Sequence, residues 1–215
     1  MTAPARILLA EADAPTRAGL RLSLANADFE LVAEAASLSG AVDAALEHRP
    51  DVALVAADLP GGGIDTTRRL GDVLPGISII VLSSNPGGEE LLAAVLAGAT
   101  GYLAKDMSLS RLAHTIRGVV GGEVALPRRH TQHLLEELRS RHIQRVRIAA
   151  RAKTTLTDRE WEVLQLLGED ASTAQMADVL HISQVTVRRH VSTLLGKLGL
   201  TDRDSAAELI RRSGE

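Results

Sequence analysis

Apolar and polar positions divide the chain into two regimes. In the first, apolar runs of strand length stand at residues 6–10 (RILLA), 29–35, 51–56 (DVALVA), 77–82 (ISIIVL) and 101–103. Stretches with helical spacing alternate with them, at 15–26, 39–48, 65–74, 89–97 and 108–120. Short apolar runs bounded by turn residues suit strands buried on both faces. Their alternation with helices predicts an α/β fold, a doubly wound (βα)5 parallel sheet with right-handed crossovers. Ligand sites in such sheets lie at the carboxyl ends of the strands. Those ends are residues 11–13, 56–58, 83–84 and 105.

The second regime, residues 154–215, is helical throughout. Four short helical patterns each follow a start signal: Thr157 with Glu160 and Ser172 with Gln175 as capping boxes, then Ser183 and Asp202 as caps. Gly168 and Gly199 punctuate the ends of the first and third. At about 100° per residue, Val187, Val191, Leu194, Leu195 and Leu198 share one side of the third helix. Val185, Arg189, Ser192 and Thr193 lie opposite, with Arg188 on one flank and Thr186, His190 and Lys197 on the other. A face that pairs cations with small hydrogen-bonding groups and has no carboxylate suits the major groove, where arginine forks onto guanine. A solvated amphipathic helix would look similar, but the helix and tight turn before it, 173–180 and 181–183, complete a helix-turn-helix plan. Arg188, Arg189 and Ser192 are expected at base edges, and Gln184, Thr186, His190 and Lys197 at phosphates.

Composition narrows the choice. The 215 residues suit two domains. There is no cysteine, and the 7 histidines lack HxH or HxxxH spacing, so no metal site or other cofactor is expected. No apolar run approaches the roughly 18 residues of a membrane span and no leader is evident, so a cytoplasmic location is expected. With no triad, metal cluster or nucleotide loop, an enzyme is not expected. Residues 1–122 hold 9 Lys+Arg against 14 Asp+Glu, a charge of −5; residues 123–153 hold 8 against 3, or +5; residues 154–215 hold 7 against 10, or −3. The expected reading domain is thus acidic, against the usual electrostatic footprint of a nucleic-acid binder. Residues 123–153 read as a basic linker, helical in its middle, with Leu134, Leu135, Leu138, Ile143 and Val146 available for packing. A solvated linker helix is favoured over a phosphate-contacting arm.

The last sixty residues or so resemble the DNA-binding domain of LuxR/NarL/FixJ-class regulators, through Leu156, Thr157, Arg159, Glu160, Glu162 to Leu164, Ile182, Ser183, Thr186, Val187, Arg189 to Val191, Lys197 to Gly199, Asp202 and Arg203. Residues 5–122 resemble the receiver domain of response regulators, through Arg6 to Leu9, Arg17, Gly19, Leu20, Arg49 to Asp51, Leu59 to Gly61, Gly98, Ala99, Gly101 to Leu103, Lys105 and Asp106. The resemblance implies double-stranded operator DNA as partner, recognised as paired half-sites by a homodimer, with a heterodimer with a related regulator and contact with RNA polymerase left open.

The departures carry as much. Where the resemblance implies a phosphoacceptor aspartate, four residues before Pro60, stands Ala56. Where it implies an acidic pair for Mg²⁺ stand Glu11 and Ala12. Ser83, Tyr102 and Lys105 match the hydroxyl, the switch aromatic and the ammonium of such a pocket. Lys105 is expected to pair with Glu11 or Asp58, and Tyr102 to keep one rotamer. Residues 59–63 (LPGGG) and 85–88 read as flexible loops beside the pocket. The chain therefore reads as a DNA-binding regulator with a degenerate, phosphorylation-independent receiver. The alternatives are a kinase-controlled regulator with Asp58 as displaced acceptor, a small-ligand sensor, and a heterodimer partner. The fourth C-terminal helix offers Ala206, Ala207, Leu209 and Ile210 as an apolar patch for dimerisation, beside the receiver's first and fifth helices.

Overall fold

The computed structural model describes residues 4–25, 29–152, 154–180 and 182–213. His181 of the expected turn and Lys153 of the expected linker lie outside them. The chain forms two compact units, residues 1–135 and 136–215.

The first unit runs β1 (Ala5–Ala10), α1 (Ala14–Ala25), β2 (Phe29–Ala35), α2 (Leu38–His48), β3 (Val52–Ala56), α3 (Gly63–Val73), β4 (Ser78–Ser83), α4 (Gly88–Leu96), β5 (Gly101–Ala104) and α5 (Leu109–Val120). All pairings are parallel, in the order β2-β1-β3-β4-β5. Alternate residues of the central strands feed two cores. Ile7, Leu9, Val52, Leu54, Ile80 and Leu82 pack with Leu24 of α1 and Leu112 and Ile116 of α5. Leu8, Ala10, Ala53, Val55 and Ile79 pack with Ala41 and Ala45 of α2 and Leu70 of α3. Two buried faces leave no polar position inside β3, which is why it is apolar throughout.

The 59–63 loop is specified by backbone geometry, contrary to the expectation of flexibility. Gly61 and Gly62 hold φ of 93° and 91°, which only glycine adopts without strain. Leu38 N–H donates to the Pro60 carbonyl at 2.9 Å. A Cβ on Gly63 would collide with the backbone of Ala56 and Ala57, so glycine there lets α3 start two residues earlier than expected and close over the end of β3. The outer edge of β5 is covered as well. Tyr102 N–H donates to the Ala125 carbonyl at 2.8 Å, and Ala125 N–H to the Thr100 carbonyl at 3.0 Å. A paired edge is protected from association with another strand.

The expected linker is one continuous helix, α6 (Arg128–Ala152), longer than foreseen; it contributes residues to each unit. Leu134 and Ile148 are buried, whereas Leu135, Ile143 and Val146 are exposed. In the second unit α6 is integral, not a solvated spacer. Ile148 joins the core, Gln144 donates to the Ile210 carbonyl at 2.9 Å, and Arg145 lies 5.2 Å from the Trp161 ring while pairing with Asp158.

The second unit continues with α7 (Asp158–Gly168), α8 (Thr173–Val179), α9 (Gln184–Leu198) and α10 (Arg203–Ser213). Both capping boxes form. Trp161, Leu164, Leu167, Met176, Val187 and Leu194 fill the core. α7 ends at Gly168 as expected, although the positive φ falls on Asp170 and Ile210 occupies the place of the glycine's Cβ. One expectation fails here. Ala206, Ala207 and Ile210 are buried within the unit itself, with Leu209 partly buried beside them, so α10 offers no such patch to a second copy. No helix among the described residues is long and apolar enough to cross a membrane.

Candidate nucleic-acid interface and receiver pocket

α9 is set by the chemistry of its ends. Ser183 Oγ accepts from Thr186 N–H at 3.1 Å, and the two hydroxyls lie 2.8 Å apart. Gly199 closes the helix at φ 67°. Val187, Val191 and Leu194 are buried, which turns Gln184, Val185, Arg188, Arg189, Ser192 and Thr193 outward; Thr186 and His190 are half-buried. Two arginines that sequence reasoning matched only to a family fasten α8, the helix before the turn. Arg159 donates to the Leu180 carbonyl at 2.7 Å, and Arg203 to the Ala171 carbonyl at 3.0 Å and Thr173 Oγ1 at 2.9 Å.

The cations sort cleanly. Within residues 154–213, Arg159 pairs with Glu162, Lys197 with Glu160, Arg211 with Asp170 and Arg212 with Glu208, and Arg203 is held by α8. Arg188 and Arg189 alone have no hydrogen-bond or ion-pair partner among the described residues, and both are exposed. The outward face of α9 thus carries these two cations although residues 154–215 are acidic overall. Lys197 departs from its expected place on a phosphate. Its ammonium lies 2.7 Å from one oxygen of Glu160 and donates to the other at 2.8 Å.

Glu160, expected as the acid of the Thr157 capping box, also takes Lys197. It is buried, accepts from Thr157 N–H at 2.8 Å, and receives Lys197. Burial pushes its carboxyl up, but Lys197 and Thr157 outweigh this and hold it below the ordinary 4.5. A carboxyl whose folded value is depressed stabilises the fold above its unfolded value and loses that contribution as pH falls through the folded one. Urea unfolding from pH 7 down to pH 3 should therefore show Glu160→Gln less stable at neutrality and with a shallower acid loss below about pH 4.5. Parallel curves for the two proteins would mean that the Lys197 pair contributes nothing.

At the carboxyl ends of β1, β3 and β5, Lys105 bridges two carboxylates. Nζ lies 2.7 Å from Glu11 Oε2 and 2.7 Å from Asp58 Oδ1. Glu11 is 2% exposed and its Oε1 accepts from Asp13 N–H at 3.0 Å, so Lys105 neutralises a buried charge. Burial pulls the Lys105 ammonium down, but Asp58 and Glu11 together hold it above its ordinary value. Lys105 in turn holds the Asp58 carboxyl below the usual range. Ala56 lies fully buried beside this bridge, at the end of β3. Ser83 Oγ accepts from Asn85 N–H at 3.2 Å. Arg17 donates to the carbonyls of Glu11 and Ala12 at 2.6 and 3.1 Å. Asp13 caps α1 through Thr16 N–H at 2.9 Å. These residues do not fit a Mg²⁺ site: one acidic position is Ala12, the Glu11 oxygen is taken by an ammonium, and Asp13 is engaged with its own helix.

Tyr102 is fully buried, its hydroxyl donating to Glu90 Oε1 at 2.6 Å and accepting from Gly87 N–H at 3.2 Å. Burial first, then Glu90, pushes this hydroxyl above its ordinary value, which keeps it a donor. One rotamer is therefore fixed by two partners.

A parallel sheet with this strand order and an acidic-end pocket defines a receiver, and the helix-turn-helix unit after it defines a DNA-binding output. The family described as "Response regulator receiver domain" matches residues 7–117, and that described as "Bacterial regulatory proteins, luxR family" matches residues 154–210. The chain is 35% identical over 205 residues to the DNA-binding transcriptional activator DevR/DosR of Mycobacterium tuberculosis, covering 94% of this chain and 92% of that protein. It is 32% identical over 210 residues to the transcriptional regulatory protein LiaR of Bacillus subtilis, covering 97% of each. The solved response regulator ChrA, from a heme-sensing two-component system, superposes with a TM-score of 0.52 at 30% identity over 98% of both chains. The chain belongs to the LuxR family of response regulators, DNA-binding proteins that regulate transcription and are not enzymes.

Proposed function

We propose that this regulator reads its operator through α9 and that its receiver is set without phosphoryl transfer. The observation that carries the second half is Lys105 bound at 2.7 Å to both Glu11 and Asp58 beside Ala56. Transfer needs a carboxylate nucleophile in line with the donor and a cation free to meet the developing charge. Ala56 supplies no nucleophile, and the cation is already neutralised. Incubation with a small phosphodonor and Mg²⁺ should give no mass increase of one phosphate, and beryllofluoride should leave operator affinity unchanged. A stoichiometric adduct on Asp58 would overturn the reading. That kinase-controlled alternative has one observation in its favour, the 65% exposure of the Asp58 side chain.

On α9, Arg188, Arg189 and Ser192 meet base edges, while Gln184 and His190 position the helix on phosphates. Thr186 and Lys197 support the helix from within the unit. Paired half-sites need two reading heads, so the working species is a homodimer. With α10 internal to its unit, the receiver's α1 and α5 remain for self-association. Sedimentation of unmodified protein at micromolar concentration should show dimer with or without beryllofluoride.

A further inference from the structure

The passage of residue 125 along β5 has a second effect: with α5 and the start of α6 it borders an open cavity of about 710 Å³. The cavity lies wholly within the first unit, and neither Glu11 nor Ala56 lines it. Its size is that of pockets for small organic molecules. Leu103, Met107 and Leu126 give it an apolar lining, and Tyr102 forms part of the same wall. The rim carries three arginines, Arg111 from α5 and Arg128 and Arg129 from the first turn of α6, with the His114 imidazole beside them, against the single carboxylate of Asp106. Arg111 and Arg128 have no hydrogen-bond or ion-pair partner among the described residues; Arg129 reaches only the neighbouring His130, at 3.0 Å.

The three arginines are exposed and gather like charges at the mouth of the cavity, where no carboxylate pairs with them among the described residues. The first turn of α6 has no acidic residue, so its arginines face the positive end of their own helix. An anion in the mouth relieves both, and an apolar body attached to it fills the lining. We propose that this cavity binds a small organic anion, a carboxylate, sulfonate or phosphate on an apolar body, through Arg111 and Arg128. Such a ligand contacts β5 beside Tyr102 and the opening turn of α6 together, and so joins the receiver to the helix that continues into the second unit. The inference rests on the cavity and its cations, and holds whether or not the receiver accepts phosphate.

The test uses the full chain and 8-anilinonaphthalene-1-sulfonate, followed by its fluorescence, beside the neutral analogue N-phenyl-1-naphthylamine. One sulfonate probe should bind per chain. Arg111→Gln with Arg128→Gln should weaken it about tenfold or more, as loss of charge-assisted contacts does, and Arg69→Gln on α3 should leave it unchanged. Thr115→Trp, which fills the cavity without altering its charge, should abolish binding. Equal affinity for the neutral probe, or sulfonate binding that survives both the double variant and Thr115→Trp, overturns the proposal. Displacement of the probe by a DNA duplex lacking the operator also overturns it, because the rim would then be a phosphodiester contact.

Discussion

Arg189→Ala is expected to weaken operator binding by about 1–3 kcal/mol and to relax preference at one base pair, as loss of a bidentate base contact does. Arg188→Ala is expected to act similarly, and the double variant to bind the operator little better than unrelated DNA. The expectation rests on a contrast within one unit, since every other Lys or Arg from 154 to 213 is held by a carboxylate or by α8, and among the described residues only the side chains of these two lack such a partner. Fluorescence anisotropy on the operator and on single-base variants, at several salt concentrations, separates the possibilities. A base contact changes the ranking of sequences; a phosphate contact weakens all sequences alike and lowers the salt slope by about 1. Lys197→Ala is the internal comparison, expected to lower stability while leaving the salt slope in place. Unaltered specificity in Arg189→Ala would remove α9's outward face as the reader.

Lys105→Ala should destabilise the first unit by about 3 kcal/mol, the scale of a buried charge left without its partner. The loss comes from Glu11, which is almost fully buried and among the described residues pairs with Lys105 alone, whereas Asp58 is exposed and returns to solvent. Glu11→Gln placed in the Lys105→Ala background should recover most of the loss, because the uncompensated charge is gone. Urea unfolding of the four proteins of this cycle gives the coupling directly. A Lys105→Ala protein as stable as the parent would show that the bridge is ornamental and that Lys105 is available for other chemistry.

The fold was readable because its signals are local. β1, β3 and β4 are buried on both faces, so their apolar runs stand out, and the capping boxes at Thr157 and Ser172 need only residues three apart. The place of Ala56 at the end of β3 was readable by register from Pro60. What failed involves long reach or tertiary context. Lys197 lies on the flank of α9 as the helical wheel placed it, but its flexible chain reaches an acid 37 positions earlier. Arg159 and Arg203 reach carbonyls more than twenty residues away, which no spacing rule encodes. The apolar residues of α10 were recognised as a patch, but a sequence does not say whether a partner helix lies in the same chain. Gly168 ends α7 as read, but that Ile210 fills the place of its Cβ is a tertiary fact no local signal carries. The length of α6 was hidden by its charge, since its few buried residues are too far apart to form a stripe.

The bridge from Lys105 to Glu11 and Asp58 also bears on how such a receiver could change over generations. An aspartate introduced at position 56 alone would enter a fully buried, apolar-packed site whose one nearby cation already has two acidic partners. The protein would gain a third acid around a single ammonium before it gained any chemistry. A working acceptor at 56 would therefore call for a matching change at Glu11 or Ala12, because Lys105 is already shared by two carboxylates. On the reading proposed above, such a gene would stay outside kinase control until several of these positions changed together.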